Sequence, residues 1–225
     1  MADYRQYFQA VLRPASDHAV EEFFSLSGRY SNFRKETCLL RYLAGEEYGA
    51  AWERLQAWQG QHSGYVFVPA LEKQPAREEL ERYVALYQGS CTLPFHFENS
   101  ILQAAFEDGF RTVMELFQKS RGRTEESILR NFAVRLCFWI DRYFPRLFPD
   151  TKKIAGFPKF ACAGTVKLPE YLFLYLLYKM GCDVLYLGQD QDVLVEDPTL
   201  LALSTLVRAP ERSASPPAGA SPAVP

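Results

Sequence analysis

The stretch Lys159 to Asp192, KFACAGTVKLPEYLFLYLLYKMGCDVLYLGQDQD, leaves this chain few ways to fold. It reads as strand, helix, strand. Lys159 to Ala163 is a short β-compatible run that stops at Gly164. Pro169 suits the first turn of a helix, where its missing N–H is not needed. Leu168 to Met180 is dominated by Leu and Tyr, and Gly181 stands where a helix commonly ends. Cys182 to Leu187 then forms a continuous apolar strand with Asp183 at its start. A helix this apolar between two such strands predicts a right-handed β-α-β crossover with parallel strands buried on both faces.

The remaining composition narrows the class. The 225 residues are 48% hydrophobic and 15% aromatic, enough for a sizeable, densely packed core. A net charge of −2 and a pI near 6.0 argue against nucleic-acid binding, which needs a basic face. Met1 to Arg5 opens with charge and lacks the apolar segment of a signal peptide. The longest apolar run, Tyr171 to Tyr178, falls far short of the roughly 20 residues that span a bilayer. These features predict a cytoplasmic protein without a membrane span. Cys38, Cys91, Cys137, Cys162 and Cys182 never form a CxxC pair, and His18, His62 and His96 are equally scattered. A structural zinc site needs clustered ligands and is not expected. No Ser/His/Asp order, nucleophile elbow or paired-His metal motif appears, which disfavours a classical hydrolase.

The predicted class is α/β: a mostly helical N-terminal half joined to a Rossmann-like β-α-β unit with a small parallel sheet of two or three strands. Three regions follow: 1–150 mainly helical, 151–207 α/β, and 208–225 a Pro/Ala/Ser-rich tail expected to be disordered. Within the first region, helices are expected over Asp17 to Ser27, Glu46 to Trp58 and Arg77 to Tyr87, with a strand at Tyr65 to Val68. A longer helix, Phe97 to Gln118, reads as interrupted at Gly109. Thr124 to Phe144 is the best-specified one: Thr124 is a plausible N-cap, and Pro145 and Pro149 end it. Gly28 to Arg34 reads as a basic, aromatic turn, more often solvated surface than an anion site. His96 and Glu98 have the spacing of an acid–base pair but no nucleophile beside them, so a packed loop is the stronger reading. Asp197 to Val207 reads as a short helix and one more strand.

Ligands of open α/β sheets bind beyond the carboxyl ends of the strands. That rule selects two loops. Gly164, Thr165 and Lys167 open the crossover helix, where free N–H groups, the helix dipole and an ammonium favour an anion. Gly188 to Asp192 follows the next strand, and its Asp190 and Asp192 are candidate ligands for Mg2+ or Mn2+, against the commoner solvated acidic turn. Arg135 and Arg142 share a helix face and are candidate phosphate ligands, against pairing with carboxylates such as Asp141. Neither GxGxxG nor GxxxxGK[ST] is present, so no dinucleotide fingerprint or P-loop supports the reading. The two loops are expected to adjoin at one sheet edge as a nucleotide or phosphosugar pocket, with Asp183 at the opposite strand end.

The segments RNFAVRLCFWIDRYFPRLF (Arg130 to Phe148), KFACAG and YLFLYLLYKMGCDVLYL (Tyr171 to Leu187) together resemble the bacterial YceG-like family. The resemblance is clearest over Arg130 to Asp192. It implies a component of a "biosynthetic module" linked to tellurium-resistance (Ter) genes, a cytoplasmic, stress-associated role, and Ter-system proteins as partners. It carries over no catalytic residues. Members are implied to be longer, so this chain reads as a fragment, a frameshifted product or a truncated paralogue. Three functions are then in view: nucleotide or phosphorylated-metabolite binding, with transferase chemistry; a non-catalytic scaffold or regulatory subunit of the Ter system; and a metal-dependent glycosyltransferase-like enzyme using Asp190 and Asp192.

Overall fold

The computed structural model describes residues 10–12, 21, 23–24, 29–31, 34–89, 93–122, 125–153 and 158–210. Strands β1 (Ala10–Leu12), β2 (Arg29–Ser31) and β3 (Arg34–Thr37) form a small sheet in the order β1-β3-β2. Next come β4 (Leu39–Leu43), a 3-10 turn (Gly45–Glu47), α1 (Tyr48–Trp58), β5 (Tyr65–Val68), α2 (Arg77–Gly89), α3 (Ser100–Ser120) and α4 (Glu126–Leu147). The chain continues through β6 (Lys159–Cys162), α5 (Leu168–Lys179), β7 (Asp183–Gly188), α6 (Pro198–Leu201) and β8 (Thr205–Arg208). β4 to β8 make one parallel sheet in the order β5-β6-β7-β4-β8.

The α/β class holds, and β6-α5-β7 is the expected parallel unit. The sheet is wider than two or three strands. β4 and β5 come from the region read as mainly helical, so strands from both sides of residue 151 share one sheet. The segment read as a basic turn contains β2 and the start of β3, paired antiparallel. Most of the expected helix at 17–27, the Thr124 cap and positions 211–225 of the tail lie outside the described residues.

Strand alternation sorts the core into two layers. Leu39, Leu43, Val66, Val68, Phe160, Cys162 and Val184 point to the face covered by α2 to α6. Leu40, Tyr42, Tyr65, Phe67, Ala161, Leu185 and Leu187 point to the face covered by α1, whose Leu55 is buried there with Trp52 and Trp58 packed alongside. With both faces covered, the central strands read as apolar runs. α5 is apolar all round because it lies between the sheet and α3 and α4, and Tyr171 to Leu174 are all buried.

Two helix-breaking readings are corrected. α3 runs unbroken through Gly109, where an added Cβ would stand 3.0 Å from Leu176 Cδ1, so glycine lets α3 approach α5 closely. α4 runs past Pro145 to Leu147. A proline costs one backbone bond and crowds the preceding turn. Here it sits in the last turn, where buried Tyr143, Phe144 and Leu147 hold the segment. Glu125 occupies the α4 N-cap position, with no side-chain cap bond.

Candidate functional site

Parallel topology sets the functional end. After β4 the chain passes to the α1 face, whereas after β6 and β7 it passes to the opposite face through α5 and α6. β4 and β7 are neighbours, so their carboxyl ends diverge and open a crevice, the usual ligand position in such sheets. The backbone continues the pairing just past the strands: the Ala44 and Gly45 N–H groups donate to the Gly188 and Gln189 carbonyls, each at 2.9 Å.

Two adjoining cavities occupy this edge and share Gln189 and Asp190. One, of about 510 Å³, lies between the 3-10 turn and the end of β8, with Glu46, Glu47 and Arg208 in its wall. The other, of about 390 Å³, lies between the β6 and β7 loops, walled by Gly164, Thr165, Tyr48 and Gln191. The two sequence-selected loops therefore do meet. Gly164 adopts φ +76°, which favours glycine, and an added Cβ would lie 3.1 Å from the Pro69 carbonyl. At Gly188 a Cβ would collide with the Gln191 carbonyl and stand 2.7 Å from Leu43 Cδ2. Burial, and then the hydrogen bond to Glu47, push the Tyr42 phenol up to about 12, so Tyr42 stays a neutral donor that orients Glu47.

Lys167 and Arg135 are elsewhere. A third cavity, of about 540 Å³, forms at the N-terminus of α5, where Arg121 from the end of α3, Arg135 from α4 and the cap residue Lys167 converge. Lys167 carries no side-chain oxygen to accept from the first turn of α5, and Pro169 contributes no N–H there. The Lys167 N–H donates to Glu170 Oε2 at 3.1 Å, and Glu170 Oε1 lies 3.6 Å from Arg135 Nη1. Arg135 also lies over the Trp139 ring at 5.9 Å. Glu196 and Asp197 stand in the same wall, and the Thr199 hydroxyl and N–H hold the Asp197 carboxyl below its ordinary value. This cavity shares no wall residue with the two at the sheet edge, and between Thr165 and Lys167 the buried Val166 carbonyl accepts from the Leu194 N–H at 2.7 Å.

The other candidates are held in pairs. Arg142 donates to Glu72 through Nε at 2.9 Å and Nη2 at 3.2 Å and does not join Arg135. Asp141 pairs with Arg82 and Tyr83, not with Arg142. Asp192 is gripped by buried Arg41, whose Nε donates to Ser204 Oγ at 2.8 Å, and also accepts from the Val193 N–H. Among the described residues Asp190 has no such partner. Among the described residues no three His, Cys, Asp or Glu side chains converge as a metal site. Glu98 faces Thr151 and Lys152, not a catalytic partner. Sequence reasoning missed Arg121, Glu46, Glu47 and Arg208. Recognising β4 would have found the glutamates, because they directly follow its carboxyl end.

The fold and its edge thus define a parallel α/β domain with cavities at the carboxyl ends of its strands and at the first turn of its crossover helix. Residues 86–197 match the family model of the YceG domain, so the chain contains a YceG-family domain. That span covers α3, α4, β6, α5 and β7, and every wall residue of the α5 cavity except Leu200. No curated protein and no solved structure matches the chain. No helix among the described residues is long and apolar enough to cross a membrane.

Proposed function

We propose that this chain binds a phosphorylated metabolite, such as a nucleotide or phosphosugar, with its phosphate at the N-terminus of α5. The observation that supports this is the meeting of Arg121, Arg135 and Lys167, from three separate elements, in one cavity at the N-terminus of α5. Helix N-termini attract anions through free N–H groups and the dipole, and guanidinium forks match phosphate oxygens. The same cavity is built almost wholly from the segment that matches the YceG domain. Gly164, Thr165 and Asp190 face the neighbouring edge cavities, so they contribute to a different part of the molecule than the phosphate site. The metal-dependent glycosyltransferase reading is weakened because Arg41 and the Val193 N–H occupy the Asp192 carboxylate.

Calorimetric titration with inorganic phosphate, nucleoside mono- and diphosphates and pentose phosphates tests the site. Arg135→Ala and Lys167→Ala should each weaken the best binder about tenfold, since a charged hydrogen bond contributes about 1.5–3 kcal/mol. Arg142→Ala should leave it unchanged. Equal affinity in all three variants would sink the proposal. The finer setting, a cytoplasmic role in a tellurium-resistance-linked biosynthetic module with transferase chemistry, rests on the family resemblance. Co-purification with Ter-system proteins tests that setting separately.

A further inference from the structure

We infer that the crevice between β4 and β7 is a second, chemically distinct site, and that it takes a sugar moiety carrying vicinal hydroxyls. Three observations carry this. The first is position: it lies at the one junction in the sheet, among the described residues, where neighbouring strands β4 and β7 send their chains to opposite faces. The second is shape: a 510 Å³ cavity and a 390 Å³ one share Gln189 and Asp190 in their walls and form a trough along this edge. The third is chemistry. Glu46 and Asp190 present carboxylate acceptors, Arg208 presents donors, and Gln189 presents both. All four side chains are exposed at this edge, and among the described residues none has an ion pair or hydrogen bond of its own.

A carboxylate accepts from two adjacent hydroxyls at once, while an arginine and an amide satisfy the lone pairs of the same hydroxyls. Tyr48 adds an aromatic wall to the smaller cavity, backed by Trp52 at 6.0 Å between ring centroids. A phosphate fits poorly here: three carboxylates, Glu46, Glu47 and Asp190, face a single guanidinium, Arg208. A bare divalent cation would need convergent ligands, and no such group of three is present among the described residues. This trough and the α5 cavity share no wall residue, so the two sites are tested by different variants.

The experiment is saturation-transfer NMR followed by calorimetry on the full chain, using ribose, glucose, N-acetylglucosamine and the corresponding nucleosides, with magnesium chloride alone as a separate arm. At least one sugar should bind. Glu46→Ala with Asp190→Ala should weaken it at least about tenfold, the loss of two charged hydrogen bonds. Lys167→Ala should not affect it, and both variants should keep the parent melting temperature. Three results would overturn the inference: no sugar binding at millimolar concentration, binding untouched by the double variant, or a response to magnesium with none to any sugar.

Discussion

Asp183 begins β7 at the end of the sheet away from the cavities and is 6% exposed. Lys159 Nζ donates to its Oδ2 at 2.8 Å, and the Cys38 N–H donates to its Oδ1 at 3.0 Å. Lys159 is 4% exposed and lies 5.1 Å from the Phe23 ring. A buried pair of this kind contributes little net stability over an apolar pair, yet removing one partner strands the other charge. Asp183→Ala should therefore cost about 3–5 kcal/mol, whereas Lys159→Met combined with Asp183→Leu should recover most of the loss. Urea unfolding of the three proteins measures both quantities, and equal destabilisation by the single and double changes would refute the argument. Asp183 was legible as the polar start of a strand. Its partner was not, because the lysine lies 24 residues earlier on another strand. The same holds for Arg41, which breaks the apolar run of β4 and is answered by Asp192 and Ser204, 151 and 163 residues away. A charge in a buried strand looks like a loop until its distant partners are known, which is why β4 was missed.

At the scale of elements, periodicity located the helices and local breakers misplaced their limits. Gly109 reads as an interruption because glycine is a poor helix former, about 1 kcal/mol worse than alanine. In the folded chain the same glycine is a contact, buried in α3 against Leu176 and Lys179 of α5. Pairing across the helix interface outweighs the local preference. Gly109→Leu should consequently destabilise by about 1–3 kcal/mol despite its better helix propensity, through overpacking against α5. The change should appear in the denaturation midpoint while helical ellipticity at 222 nm is retained. A gain in stability would mean that α3 and α5 are not closely packed at this point. Pro145 follows the same logic, since buried aromatic neighbours hold the last turn of α4 in place. For the candidate site, the β6 and β7 loops were legible because short apolar strands end there in glycine. The separation of Lys167 from Thr165 was not, because it depends on the hydrogen bond from the Leu194 N–H to the Val166 carbonyl, a contact across 28 residues between segments that only the fold brings together.

For the whole molecule, the sheet order decides what can fold alone. A Pro/Gly connection near residue 151 marks a boundary in composition, but hydrogen bonding crosses it. β6 pairs with β5 on one side and β7 on the other, β7 pairs also with β4, and among the described residues β8 pairs only with β4. Residues 151–225 taken alone would keep one strand pair, β6 with β7, and lose every partner of β8. α5 would be left with its outer face bare, because α3 and α4 cover it and every residue from Tyr171 to Leu174 is buried. Two paired strands and an exposed apolar helix do not make an independently stable core. The segment 151–225 should therefore show no cooperative melt and a collapsed amide proton spectrum, and it should aggregate through α5. Mixed with 1–150, it should regain dispersion, because both halves of the interface are then present. A well-dispersed spectrum and a sharp melt from 151–225 alone would show instead that the crossover unit supports itself. The cavities argue the same dependence from the functional side: the sheet-edge trough needs Glu46 and Tyr48 from the first half and Gly188 to Asp190 from the second, and the α5 cavity needs Arg121 and Arg135 beside Lys167. Binding and folding in this protein therefore depend on the same junction.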